Sequence, residues 1–254
     1  MAHRAVRVTL QPRPLHRDTL DEAVIPLRDN VPTRRFPIAT VALIAINLGV
    51  WLFYQVPDLE QSVVEIGFLP CEVDHTCSDP GVRWPLDALT SMFAHGSWLH
   101  IIGNMLFLWI FGNNVEDRLG RLRFLVFYVL SGFAALALQA WITLALGSPG
   151  EASIPNVGAS GAIAGVLGAY LFLYPAARVL TLVPIFILLA PIEIPALFFL
   201  GFWFLFQLWM GSFSLVAPDA GGGVAFFAHV GGFVFGLLAV WPFGGRRQGQ
   251  ARYR

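Results

Sequence analysis

The chain has 254 residues, of which 56% are hydrophobic, 14% aromatic and only 13% charged. Ordinary globular chains are roughly 45–50% apolar and about 25% charged, so too few charges remain to cover a soluble surface, and the composition describes a protein that crosses the bilayer several times. The formal net charge of +0 argues against a nucleic-acid-binding surface, and all 16 basic residues are arginine, which excludes chemistry that needs a lysine, such as a Ser–Lys dyad or a pyridoxal Schiff base.

Residues 1–36 are polar, rich in arginine and proline and without an apolar run. They are expected to form a basic cytoplasmic tail, not a cleaved signal peptide. Apolar stretches follow at 37–56, 98–112, 124–146, 157–174, 194–210 and 224–243, each expected to be a spanning helix. Segment 179–190 is apolar but short, and Pro184 and Pro191 interrupt it. It is expected to lie at the interface or to re-enter, because about 12 residues do not cross a 30 Å core; a seventh span is the less favoured reading. The expected plan is an all-α bundle of six transmembrane helices over 37–243, with an outer loop at 57–97, a C-terminal tail at 244–254, and both termini cytoplasmic.

Arginine placement supports that count. Seven arginines precede the first stretch, Arg118, Arg121 and Arg123 lie between the second and third, Arg178 follows the fourth, and Arg246, Arg247, Arg252 and Arg254 follow the sixth. With six spans, 15 of 16 arginines fall inside and only Arg83 outside, as the positive-inside rule requires. A seventh span would move the last four outside. The outer loop holds seven acids against one arginine, and both cysteines, Cys71 and Cys77. A disulfide suits an oxidising face; zinc on Cys71, His75 and Cys77 is a weaker reading, with no fourth ligand in the loop.

Polar side chains are costly in lipid, so those inside spans are candidates for function. The second stretch opens His95-Gly-Ser-Trp-Leu-His100-Ile-Ile-Gly-Asn104, the fourth begins Gly158-Ala-Ser160-Gly161, and the sixth contains Ala228-His229-Val-Gly-Gly232. His100 and Asn104 are four apart and share a helix face. All three helices run from outside to inside, which places His100, Asn104, Ser160 and His229 within roughly 10 Å of their outer ends. Each has a structural alternative: a serine that bonds a backbone carbonyl, a histidine or asparagine that bonds a neighbouring helix. Four of them at one depth point to a shared site in the outer leaflet.

These residue types suit acyl transfer. A serine hydroxyl attacks only when a base takes its proton, and His229 is the natural base for Ser160. The Ser160 backbone N–H, the Asn104 amide and His100 supply donors for an oxyanion. No acid lies in the outer halves of the spans, so a dyad is expected; Glu151 and Asp219 sit in short outer loops, and nothing in the sequence requires them. Gly161, Gly165 and Gly168 form one small face and Gly232 and Gly236 another, so the two helices are expected to pack backbone to backbone and bring Ser160 to His229. Neither a metal nor a cofactor is expected.

The stretch His95–Asn104, the Gly-Ala-Ser-Gly run around Ser160, and Ala228-His229-Val-Gly-Gly232 followed by Gly236 together resemble the rhomboid intramembrane serine proteases, in matching order over 37–243. The resemblance implies Ser160 as nucleophile, His229 as general base, and an oxyanion hole of His100, Asn104 and the Ser160 backbone N–H, with His95, Gly158, Gly161, Gly232 and Gly236 supporting the site. It implies a structural role for Glu116, a membrane-embedded hairpin in the loop after span one, and a mobile span five with loop 211–223. One departure concerns the aromatic that some members carry four residues after the serine, stacked on the histidine. Here that position is Ala164, so His229 needs another orienting partner, with Phe226, Phe227 or an aromatic on span five in reach. The expected activity is cleavage of single-span membrane proteins near the outer boundary, in a bacterial inner (cell) membrane and with lipid as surroundings. The alternatives are a catalytically silent rhomboid-like binder or chaperone and, less favoured, a small transporter. Oligomeric state is not legible.

Overall fold

The computed structural model describes residues 25–77, 84–185, 188–217 and 224–245. Asp79, Arg83, Asp219 and the C-terminal arginines lie outside the described residues, as does most of the N-terminal tail.

Helix α1 (Ile38–Val50) runs on through a π-helical turn, Trp51–Gln55, as one apolar rod. The following loop folds into α2 (Leu59–Ile66), capped by the Asp58 carboxylate on the Gln61 N–H, a 3₁₀ turn at Pro70–Glu72 and the short α3 (Leu86–Thr90). Cys71 and Cys77 are joined in a disulfide within it. Helix α4 (Trp98–Phe107) starts under the Ser97 hydroxyl, which accepts from the His100 N–H. It passes through a π-helical turn (Leu108–Gly112) into α5 (Asn113–Leu119). Gly120, at φ 84°, separates α5 from α6 (Arg121–Leu146) in a conformation that side chains resist. Then follow α7 (Pro149–Ala152), α8 (Ser160–Leu173), α9 (Ala196–Val216) and α10 (Phe226–Ala239).

Among the described residues, three helices are long and apolar enough to cross a membrane: Ile38–Gln55, α6 and α9. Helices α8 and α10 have 14 residues each, about 21 Å at 1.5 Å per residue, shorter than a 30 Å hydrocarbon core. Burial explains the short length of α8. All but three of its residues are inaccessible, so protein surrounds it and it need not match lipid thickness. Its small face meets that of α10. A Cβ on Gly232 would overlap the Gly161 carbonyl oxygen, one on Gly236 the Gly165 carbonyl oxygen, and one on Gly168 the Phe233 carbonyl oxygen. Only hydrogen fits at this crossing, which lets dispersion contacts form backbone to backbone.

The expectation of an all-α protein needs correction. Segment 179–190 is neither re-entrant nor a span. It lies in an antiparallel hairpin of β2 (Arg178–Ile185) and β3 (Leu188–Pro195), in register from Arg178↔Pro195 to Ile185↔Leu188. Pro184 and Pro191 bar a helix, Val179, Thr181, Val183, Ile192 and Ile194 favour a strand, and Pro191 and Pro195 are tolerated because β3 is an edge. The third strand, β1 (Ile25–Asp29), comes from the segment expected to be tail and pairs with β2, Asp29 opposite Val179.

From β1, the Asp29 carboxylate accepts from Asn114 Nδ2 of α5 at 2.6 Å and from the Tyr170 hydroxyl of α8, fastening the sheet to the ends of both helices. Burial raises the Asp29 pKa to about 6, against the lowering by the Tyr170 bond. Nearby, α1 starts at Pro37 with no side-chain cap of its own. Glu116 of α5 supplies one from across the fold: its buried carboxylate accepts from the Ala39 N–H (3.0 Å), the Thr40 N–H (2.7 Å) and the Thr40 hydroxyl (2.8 Å).

Candidate functional site

At the end of the bundle opposite the sheet, α4, α6, α8, α9 and α10 line an open cavity of about 750 Å³. His100 and Asn104 line it from α4, Ser160 and Ala164 from α8, Trp203 from α9, and Phe227 and His229 from α10. Helices α8 and α10 touch where they carry these groups: a Cβ on Gly161, next to Ser160, would lie 3.8 Å from the carbonyl oxygen of Ala228, next to His229. The fold therefore sets the hydroxyl and the imidazole at one level on adjoining helices.

Ser160 is the first residue of α8, and Ala159 before it has no side chain with which to cap the helix. The first-turn N–H groups and the positive end of the helix dipole are left for an oxygen atom to use. The approach is held by the loop before α4. Phe68 and Asn156 exchange backbone bonds (3.0 and 2.7 Å), and the Gly158 N–H donates to the Ser91 carbonyl. Gly158 itself has φ 128°, and a Cβ there would lie 2.7 Å from His100 Nε2 and 3.5 Å from the Ser160 hydroxyl. The absence of a side chain keeps open the space between those two groups.

The hydrogen bonds at Nδ1 suit opposite tautomers in the two histidines. The Gly96 N–H donates to His100 Nδ1 at 3.3 Å, so the single proton of the neutral ring sits on Nε2, which becomes a donor beside Ser160. His229 Nδ1 lies 2.8 Å from Gln207 Oε1. An amide oxygen only accepts, so this contact suits the tautomer with the proton on Nδ1, in which Nε2 keeps its lone pair. One ring offers a proton and the other can take one. Asn104, 8% exposed, has its Nδ2 without a hydrogen-bond acceptor while lining the cavity; an unmet buried donor of this kind waits for a ligand oxygen. Ser160 and His229 make no hydrogen bond to each other, and catalytic bonds of this kind tighten when substrate binds.

The remaining sequence candidates surround this centre. His95 is fully buried, its ring edge-on to His100 with centroids 5.0 Å apart. Its backbone is clamped by Gln55, which accepts from the His95 N–H and donates to its carbonyl. The partner sought for His229 is on α9: Trp203 lies with its ring 5.8 Å away, and Gln207 makes the hydrogen bond. Phe227 lines the cavity without such a ring contact. Glu116 stands at the far end of the α4–α5 rod, with the α1 N-terminus. Sequence reasoning missed Gln55, Gln139, Asn156 and Gln207. The signal for the three glutamines was their place within or at the edge of apolar stretches, the criterion already applied to Asn104.

The fold and cavity define a helical membrane protein with a polar site enclosed among its helices. The rhomboid domain model matches residues 83–246, and the chain belongs to the rhomboid family. It is 28% identical over 204 residues to Rhomboid protein 1, mitochondrial, of Saccharomyces cerevisiae, covering 79% of this chain and 51% of the yeast protein. It is 30% identical over 210 residues to Presenilin-associated rhomboid-like protein A, mitochondrial, of Danio rerio, covering 80% and 46%. A third likeness, 38% over 93 residues, is to RHOMBOID-like protein 5 of Arabidopsis thaliana, covering 37% and 28%. The chain spans about half the length of the yeast and zebrafish relatives. Those two are mitochondrial by name, which overturns the expectation of a bacterial inner membrane. Arginine asymmetry reports which face a loop occupies and carries no information on the compartment.

Proposed function

We propose that this protein is an intramembrane serine endopeptidase that cleaves single-span membrane proteins near one membrane boundary, using Ser160 as nucleophile and His229 as general base. The observation that carries the proposal is that Ser160, His229, His100 and Asn104 line one cavity, with hydrogen bonds at Nδ1 of the two histidines that suit opposite tautomers. In the proposed reaction His229 Nε2 takes the Ser160 proton as the hydroxyl attacks the scissile carbonyl. His100 Nε2–H, Asn104 Nδ2 and the Ser160 backbone N–H then stabilise the oxyanion, and His229 returns the proton to the leaving amine. Water repeats the attack on the acyl-enzyme. In this proposal residues 37–243 form a six-span core with both termini on the arginine-rich face and loop 57–97 on the other. A substrate helix must unwind to present its carbonyl, so small or helix-breaking residues are expected at the cleavage point.

The test uses purified full-length protein in proteoliposomes with a fluorescent single-span reporter that carries Gly-Ala-Ser near its boundary. The wild type cleaves it, and Ser160→Ala and His229→Ala lose cleavage. Undiminished cleavage by Ser160→Ala refutes the mechanism, and a wild type that binds the reporter without cleaving it favours the silent binder.

A further inference from the structure

We infer that Gln207 is a positioning residue that holds His229 in the tautomer and ring plane needed to accept the Ser160 proton; this rests on the protease reading above. Gln207 lies in the interior of α9, between Phe206 and Leu208, and is 6% exposed. A buried amide in an apolar helix is costly unless it is bonded, and its oxygen is spent on a single partner, His229 Nδ1, at 2.8 Å. Because that oxygen cannot donate, the bond forms only when Nδ1 carries the proton. A free imidazole populates both tautomers, and the one protonated at Nε2 cannot serve as base toward Ser160.

The same helix fixes the ring plane. Trp203 sits one turn before Gln207 on the same face, its ring tilted 37° to that of His229. The backbone beside the base is fixed from another helix: Gln139 of α6 accepts from the Ala228 N–H at 3.1 Å and donates to the Thr143 hydroxyl. His229 is thereby held from α9 at its ring and from α6 at its main chain. An acid in place of Gln207 would orient the ring equally well but would bring a charge into an apolar span; the amide does so while neutral.

The experiment measures labelling of the full-length protein in proteoliposomes by a fluorescent alkyl fluorophosphonate, resolving kinact from KI. Gln207→Met keeps length and shape without the acceptor, Gln207→Asn keeps the amide one methylene short, and Gln207→Glu keeps an acceptor at full length. The Met and Asn variants are expected to lose about 10–100-fold in kinact, less than the 10²–10⁴ of a whole general base, with KI and the melting midpoint little changed. Gln207→Glu is expected to recover most of the rate. In ¹⁵N-histidine spectra, His229 of the wild type is expected to show the Nδ1–H tautomer, with Nε2–H gaining in Gln207→Met. Wild-type kinact in both the Met and Asn variants, or an unchanged tautomer, overturns the inference. Ser160→Ala separates the two levels. If it abolishes labelling while Gln207→Met reacts normally, only the role of Gln207 falls; if it still labels, the protease reading falls with it.

Discussion

Replacing Glu116 by alanine should destabilise the whole bundle, and the structure sets the size of the effect. The carboxylate is 3% exposed and accepts from two backbone N–H groups at the start of α1 and from the Thr40 hydroxyl. Alanine leaves three buried donors without their acceptor. One orphaned buried group costs about 1–3 kcal/mol, and the lost charge at a helix N-terminus about 0.3–1 kcal/mol more. Allowing for water entering the space left by the carboxylate, a loss of about 3–5 kcal/mol is expected. At roughly 2–4 °C per kcal/mol for a chain of this size, the melting midpoint should fall by about 6–20 °C. Glu116→Gln keeps one acceptor oxygen and should fall by about half as much, while Thr40→Val removes only the hydroxyl contact. The assay is thermal unfolding in detergent micelles followed by near-ultraviolet circular dichroism. A Glu116→Ala midpoint within 2 °C of wild type would refute the account of Glu116 as the cap of α1, because no other side chain among the described residues caps that end.

Three further outcomes are expected. Asn104→Ala should lower reporter cleavage by about 10²–10³-fold, the loss seen when one oxyanion donor is removed; a rate within twofold of wild type would take Asn104 out of the proposed hole. Gly236→Val should force α8 and α10 apart by about 1 Å or more, since even a Cβ would overlap the Gly165 carbonyl oxygen; reporter cleavage should drop about 10²-fold or further, and a crosslink or distance measurement between α8 and α10 should report the separation. Asp29 gives a pH dependence of definite sign. Its folded pKa, raised to about 6, lies above the ordinary 3.8, so the folded state binds more protons between those values. Its contribution to stability is fully present below about pH 4 and is lost as pH rises to about 6. Asp29→Asn should abolish that part of the pH dependence of the melting midpoint, and identical profiles for the two proteins would refute it.

The sequence was most informative where chemistry is expensive. Histidine, asparagine and serine do not enter apolar stretches without cause, so His100, Asn104, Ser160 and His229 stood out one by one, and the helical period with the arginine asymmetry assigned them a common depth. All four line one cavity. The small faces of α8 and α10 were legible for the same reason: glycine repeated at four-residue spacing makes a groove on one side of a helix, and the structure fills each groove with the other helix. The sheet was much less legible. Segment 179–190 shows why it is neither helix nor span, since its prolines and its length are local properties, but the partner of β2 lies about 150 residues away in β1, and no local pattern announces such a pairing.

Composition and periodicity alone thus determined a helical membrane protein, a polar site near one end of its helices, and the residue types available there. Tertiary structure decided which side chains meet in that site and which group stands at Nδ1 of His229. For His100 the partner is Gly96, four residues earlier, and for His229 it is Gln207 on the neighbouring helix α9. A tautomer is set by the hydrogen bond at the ring's other nitrogen, and at His229 that bond exists only once α9 has packed against α10.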